Sequence, residues 1–125
     1  MRIKEVNGVK LSVGLDYIID LTKSISDKYG NPDLSIDEAL EKCFNSGSGS
    51  MSGEQMDNIV TAVLISINGA RAVANEPALT RADIIALFEE KGFAFISSIV
   101  EVLINSMASI ITNTGDEVEG SKKKG

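Results

Sequence analysis

Histidine and tryptophan are absent from this 125-residue chain, and cysteine occurs once, at Cys43. Without histidine the chain lacks the side chain most used for acid–base chemistry near neutral pH and the commonest nitrogen ligand of transition metals. Ser–His and Cys–His nucleophile pairs are therefore excluded within the chain. A single cysteine also excludes an internal disulfide. These absences argue against an enzyme, and we expect no metal or cofactor.

Basic residues are also few, since 12 Lys and Arg stand against 18 Asp and Glu and give a formal net charge of −6. This balance argues against a nucleic-acid partner, because such binding works by neutralising phosphates. No signal peptide is recognisable in residues 1–14, so we expect a protein of the reducing cytoplasm. The composition favours a binding or assembly protein.

The hydrophobic pattern predicts a mainly α protein, with a small β-hairpin over residues 1–13 followed by about five helices in a compact bundle. The chain is 43% hydrophobic, which is enough for one domain, placed at residues 1–112. Asn7-Gly8, between two short apolar runs, is the strongest two-residue hairpin signal. Residues 45–53, rich in Gly and Ser, indicate a flexible linker, and residues 113–125, with one apolar side chain, indicate a disordered tail.

Capping signals mark the ends of the predicted helices. Gly30, followed by Asn31-Pro32, predicts the end of the first helix. A hydroxyl residue followed three positions later by an acid or amide predicts the starts of the second, third and fourth helices: Ser35 with Glu38, Ser52 with Gln55, and Thr80 with Asp83. The third helix has two possible ends, because the pattern weakens after Asn68. It either stops at Gly69 or continues to Asn75.

The segment Phe93 to Ile111 contains a single charge and is long enough to cross a membrane. Its polar residues decide against a span, because they recur at helical spacing and form one narrow stripe: Ser98, Glu101, Asn105 and Ser109. Apolar residues lie on the opposite side: Ile96, Ile99, Val100, Leu103, Met107, Ile110 and Ile111. We therefore expect an amphipathic helix at the centre of the core and no membrane partner.

Three sequence features were examined for chemistry and give none. The glycines of residues 47–53 lack the Gly-Lys-Ser/Thr sequence and the preceding strand of a phosphate-binding loop. The carboxylates fall on predicted helix surfaces beside basic neighbours, which predicts solvated helix faces: Asp37, Glu38, Glu41, Glu89 and Glu90. Cys43 lies on the apolar side of the second helix, which favours a small buried hydrophobe over a reactive thiol.

Apolar surface remains near the last helix. Phe95 and Val102 lie seven residues apart, on the flank between the core stripe and the polar stripe, and Phe88 and Phe93 stand on either side of the Lys91-Gly92 break. One interpretation is that the second helix or the hairpin covers these side chains as ordinary core. The other is that Phe88, Phe93, Phe95 and Val102 form a partner-binding face for an apolar helix of another chain.

The layout resembles a known family. The hairpin from Ile3 to Val13 runs into Gly14-Leu15-Asp16-Tyr17-Ile18-Ile19, a small helical body follows, Leu79-Thr80-Arg81-Ala82-Asp83-Ile84 opens a late helix pair, and a polar tail ends the sequence. In architecture, size and hydrophobic pattern, this resembles the tail assembly chaperones of long-tailed, siphovirus-like bacteriophages and prophages.

The resemblance implies a protein of the host bacterial cytoplasm that is not expected in the mature virion. Such a chaperone coats the hydrophobic, helical tape-measure protein, keeps it soluble and helps recruit tail-tube subunits. A homo-oligomer of this chain is a further possible partner. The family further implies a programmed −1 frameshift, for which Lys122-Lys123-Lys124-Gly125 could encode the slippery adenine run, although Lys-rich ends are common on soluble proteins. The alternatives are a structural helical phage protein, such as a head–tail connector or tail completion protein, and a small regulatory adaptor.

Overall fold

The computed structural model describes the backbone of residues 2–44 and 51–123, and the side chains of residues 2–44 and 51–111. In chain order its elements are β1 (Ile3–Val6), β2 (Val9–Ser12), α1 (Leu15–Tyr29), α2 (Ile36–Phe44), α3 (Gly53–Val73), α4 (Arg81–Lys91) and α5 (Phe93–Lys123). The prediction of a mainly α fold with an N-terminal hairpin and five helices is confirmed.

The hairpin forms at the predicted Asn-Gly pair. Asn7 and Gly8 have φ values of 49° and 84°, the left-handed conformations that a tight two-residue turn requires. The strands pair in antiparallel register, with Val6 opposite Val9 and Ile3 opposite Ser12. Leu11 and Val13, which follow the turn in the sequence, are fully buried, so the hairpin contributes to the core.

Side-chain caps mark the starts of α2, α3 and α4. At α2 the Glu38 amide donates to Ser35 Oγ at 3.1 Å and the Ser35 amide donates to Glu38 Oε1 at 2.9 Å, which confirms that capping box. Thr80 and Asp83 form the same reciprocal pair at the start of α4. Ser52 accepts from the Gln55 amide at the start of α3. Residues 45–50 of the predicted linker lie outside the described residues, and its last residue, Gly53, already belongs to α3.

The end of α3 falls at Val73, which resolves the choice left open by the sequence. Gly69 does not end the helix, because it lies where α3 packs against β2: a Cβ atom on Gly69 would stand 2.9 Å from Ser12 Cβ. The helix ends instead where Asn75 adopts a φ of 62° and the Glu76 amide donates to the Arg71 carbonyl at 2.8 Å.

Gly92, with a φ of 84°, turns the chain from α4 directly into α5. The helical backbone of α5 continues to Lys123, beyond the predicted end near Thr112, and no proline follows to interrupt it. The side chains from Thr112 onward lie outside the described residues, so the order of the tail over residues 113–125 stays a prediction.

The central helix is α3, and the prediction that Phe93–Ile111 would be central is wrong. α3 contacts β2 and each of the other four helices, whereas the main contacts of α5 are with α4, β1, α1 and α3. The physical reason is that α3 buries nine residues along most of its length, from Gln55 to Ala70, against the elements around it. α5 closes one side of the core with Ile99 and Leu103 and leaves its other side uncovered.

Candidate functional site

The predicted partner-binding face does not form as a surface. Phe95 and Phe88 are buried, at 4% and 7% exposure, and Val102 is partly buried against the core. Their predicted exposure is therefore wrong, because Phe95, Ile99 and Leu103 follow one another at four-residue spacing on the core side of α5. Of the four predicted residues only Phe93 is exposed, at 71%, because it is the first residue of α5 after the Gly92 turn.

The exposed apolar side chains of α5 lie on a different face from the predicted one. Ile104 and Ile111 are 38% and 37% exposed, although Ile111 was placed in the core stripe. In its place the small polar residue Ser106 is buried, next to Met107. The rotation of α5 about its axis therefore differs from the one its polar residues suggested, and Phe93, Ile104 and Ile111 remain uncovered.

Three depressions border this uncovered side of α5. The first, about 570 Å³, lies between α2 and α5 and is lined by Leu40, Phe44, Ile104, Met107, Ala108 and Ile111, with Asp37 and Glu41. The second, about 340 Å³, lies between α3, α4 and the start of α5 and is lined by Met56, Val60, Ile85, Phe88, Gly92, Phe93 and Ile96, with Glu89.

A third depression, about 310 Å³, connects the first two. It shares Phe44 and Ile104 with the first and Phe93 and Ile96 with the second, and it adds Met51, Gln55, Ile59, Ser97, Val100, Glu101 and Asn105. We call the three together the α5 groove. From Phe93 to Ile111 the helix rises about 27 Å, at 1.5 Å per residue, which is the length of a helix of about five turns.

The charged residues that line the α5 groove are all acidic: Asp37, Glu41, Glu89 and Glu101. The prediction of exposed helix faces is confirmed for the five carboxylates it named, which are Asp37, Glu38, Glu41, Glu89 and Glu90. Within the described residues, Asp37, Glu89 and Glu101 form no ion pair. The groove thus combines an apolar floor with a negatively charged border.

The α5 groove is also lined by the two residues that flank positions 45–50 of the predicted linker. Phe44 and Met51, the described residues on either side of residues 45–50, both line the third depression. No spacing within α2 or α3 predicts this arrangement, because it depends on how the two helices pack.

A polar cluster on the opposite side of α2 ties four helices together. Asn58 of α3 is 1% exposed, and its amide donates to Tyr29 Oη and to the Lys42 carbonyl, each at 3.0 Å. The Tyr29 hydroxyl donates to Glu54, and the Lys28 ammonium donates to Asn58 Oδ1. Asp57 pairs with Lys28 of α1 and with Arg81 of α4. Because the polar groups satisfy one another, this cluster is structural.

Two buried titratable side chains are held in their neutral forms. Burial raises the pKa of the Cys43 thiol to about 12, against a smaller opposing effect of the Lys28 charge. Burial also raises the pKa of Tyr17 well above its usual value, and its hydroxyl donates to the Ala62 carbonyl at 3.0 Å. Since the thiolate is the reactive form of cysteine, Cys43 is inert at neutral pH, and its prediction as a buried hydrophobe is confirmed.

In the part of the chain that the structure describes, no three Cys, Asp or Glu side chains are grouped to hold a metal ion. By length and composition, the segment Phe93–Ile111 is long and apolar enough to cross a membrane, with a mean hydropathy of 1.8 and 33% of it buried in the fold. Core helices of globular proteins meet the same criteria.

Comparisons with family models, with curated proteins and with solved structures find no significant match. The geometry of the α5 groove is therefore the basis for the functional interpretation.

Proposed function

We propose that this chain is a tail assembly chaperone of a long-tailed bacteriophage or prophage, and that it binds apolar helical stretches of the tape-measure protein in the α5 groove. The observation that carries the proposal is the mainly apolar surface from Phe93 to Ile111, which α3 and α4 line near its Phe93 end and α2 lines near its Ile111 end. Chaperoning requires no bond chemistry, and the proposal assigns the chain none.

The dimensions of the groove suit a helix better than an extended strand. A groove about 27 Å long accommodates about five helical turns, whose apolar residues at three- and four-residue spacing meet one face. The groove offers no sheet edge on which a strand could be added, because its described walls are helices.

Apolar contact supplies the affinity. Full burial of a Phe side chain is worth about 1.5–3 kcal/mol, so covering the exposed part of Phe93 contributes about 1–2 kcal/mol. Ile85, Ile104 and Ile111, each about 40% exposed, add smaller amounts. This surface is typical of a reversible complex, as a chaperone that later releases its client requires.

The tape-measure protein is proposed as the client because of the sequence layout and because its long apolar helices need cover before a tail assembles. The net charge of −6 supports the same role, since a charged coat keeps an apolar client dispersed. In the proposed pathway the bound chaperone then helps to recruit tail-tube subunits.

The test is co-expression of this chain with a tape-measure protein, with the soluble fraction of the client measured. We expect the native chain to raise that fraction and Phe93→Ser to lose most of the effect. Val73→Ser is the matched control, because Val73 is 62% exposed and lies at the far end of α3, outside the groove. No increase with the native chain, or equal loss in both variants, would contradict the proposal.

A further inference from the structure

We infer that the α5 groove selects helices that carry basic residues beside their apolar face. This inference rests on the proposed function and specifies the charge that the bound helix of the client carries. It follows from the acidic border of the groove, where Asp37, Glu89 and Glu101 come from three different helices.

The carboxylates are spread along the groove. Asp37 lines the depression between α2 and α5, Glu101 lines the connecting depression, and Glu89 lines the depression between α4 and α5. A bound helix would therefore meet negative charge near both of its ends and near its middle. Glu41 adds a fourth carboxylate beside Asp37.

Among the residues whose side chains the structure describes, no Lys or Arg lines any of the three depressions. Two ammonium groups of the flanking helices lie over aromatic rings: Lys42 is 4.3 Å from the ring centre of Tyr29, on the opposite side of α2, and Lys91 is 5.6 Å from that of Phe95. The carboxylates of Asp37, Glu89 and Glu101 are thus not paired with a basic residue among the described residues that line the groove, and a basic helix would supply the complement.

Other occupants fit the groove less well. A second copy of this chain would place one acidic groove against another molecule of net charge −6, which is electrostatically unfavourable. The residues of this sequence whose side chains are not described include two large apolar ones, Met1 and Val118, which are too few to cover a groove of this length. An anionic membrane surface would be repelled by the same carboxylates.

The experiment uses two amphipathic helical peptides of about 18 residues with the same apolar face and with either Lys or Glu on the flanking positions. Their affinities for the full chain are measured by fluorescence anisotropy at low ionic strength, where charges act over more than ~10 Å. We expect the Lys peptide to bind about tenfold or more tightly than the Glu peptide, and salt to narrow the difference.

The matched variants both remove three carboxylates. Asp37→Asn, Glu89→Gln and Glu101→Gln together remove three of the four carboxylates that line the groove, whereas Asp20→Asn, Asp33→Asn and Glu90→Gln together remove three exposed carboxylates that do not line it. We expect the first variant to lose most of the preference for the Lys peptide and the second to retain it. Circular dichroism verifies that both variants keep the native helix content.

The outcomes separate the two proposals. If both peptides bind equally, or if the two variants lose the preference equally, charge selection is wrong while helix binding stands. If neither peptide binds, the proposed function itself fails. Binding to neutral phosphatidylcholine vesicles in preference to both peptides would overturn the inference, because the groove would then serve a lipid surface.

Discussion

Gly69→Ala brings two effects of opposite sign into competition at the contact between α3 and β2. In the interior of an exposed helix, Ala is favoured over Gly by about 1 kcal/mol. At Gly69, however, the new Cβ atom would stand 2.9 Å from Ser12 Cβ and 3.2 Å from Ser12 Oγ, closer than van der Waals contact allows. Ser12 is 2% exposed, so it has no free space into which to move.

Overpacking of this kind costs about 1–3 kcal/mol. Movement of β2 away from α3 would also stretch the buried hydrogen bond of 2.8 Å from Ser66 Oγ to the Ser12 carbonyl, which is worth about 1 kcal/mol. Subtracting the helix-propensity gain, we expect Gly69→Ala to lower the free energy of unfolding by about 1–3 kcal/mol.

Urea unfolding followed by circular dichroism measures this difference. Gly53→Ala is the control, because Gly53 is also helical but has no neighbouring atom within 4 Å of the added Cβ; its effect should stay within about 0.5 kcal/mol. If Gly69→Ala proved as stable as the native chain or more so, the described packing of α3 against β2 would be wrong.

Two further predictions concern buried polar groups. Asn58→Ala removes the hydrogen bonds to Tyr29 and to the Lys42 carbonyl, and we expect it to lower the free energy of unfolding by about 2–3 kcal/mol. Urea unfolding measures this difference. A free energy of unfolding close to that of the native chain would refute a structural role for the cluster. For Cys43, the pKa is about 12 in the fold against an ordinary value of 9.0, so the unfolded chain releases the thiol proton first. The contribution of the neutral Cys43 thiol to the free energy of unfolding is therefore fully present below pH 9. It is lost as the pH rises towards 12, by up to about 1.4 kcal/mol per pH unit. In Cys43→Ala the free energy of unfolding should fall less steeply as the pH rises above 9. The same decrease per pH unit in this variant and in the native chain would show that the thiol is not the titrating group.

Features that depend on a few neighbouring residues were predictable from the sequence. The Asn7-Gly8 turn and the Ser35 and Thr80 capping boxes formed as expected, because each needs only the conformational freedom or the hydrogen-bonding side chains of adjacent positions. The burial of Cys43 was also predictable, from its place on the apolar side of a short helix.

Features that depend on helix rotation and packing were not predictable. Phe93 and Phe95 are two residues apart and equally apolar, yet one is exposed and the other buried, because the Gly92 turn sets the direction in which α5 starts. The continuation of α3 through Gly69 follows from its contact with Ser12, which lies 57 positions away in the sequence. The α5 groove combines side chains of four helices, and no spacing within one helix predicts it.

The central claim is that a helix of another protein binds in the α5 groove. Methyl NMR of the isoleucine-labelled chain, titrated with the Lys-bearing peptide, tests it most directly, because exposed isoleucines occur both inside and outside the groove. We expect saturable chemical-shift changes for the methyl groups of Ile85, Ile104 and Ile111, while those of Ile3 and Ile19 stay unchanged. Shifts concentrated at Ile3 and Ile19, or no shifts at any of the five, would contradict it.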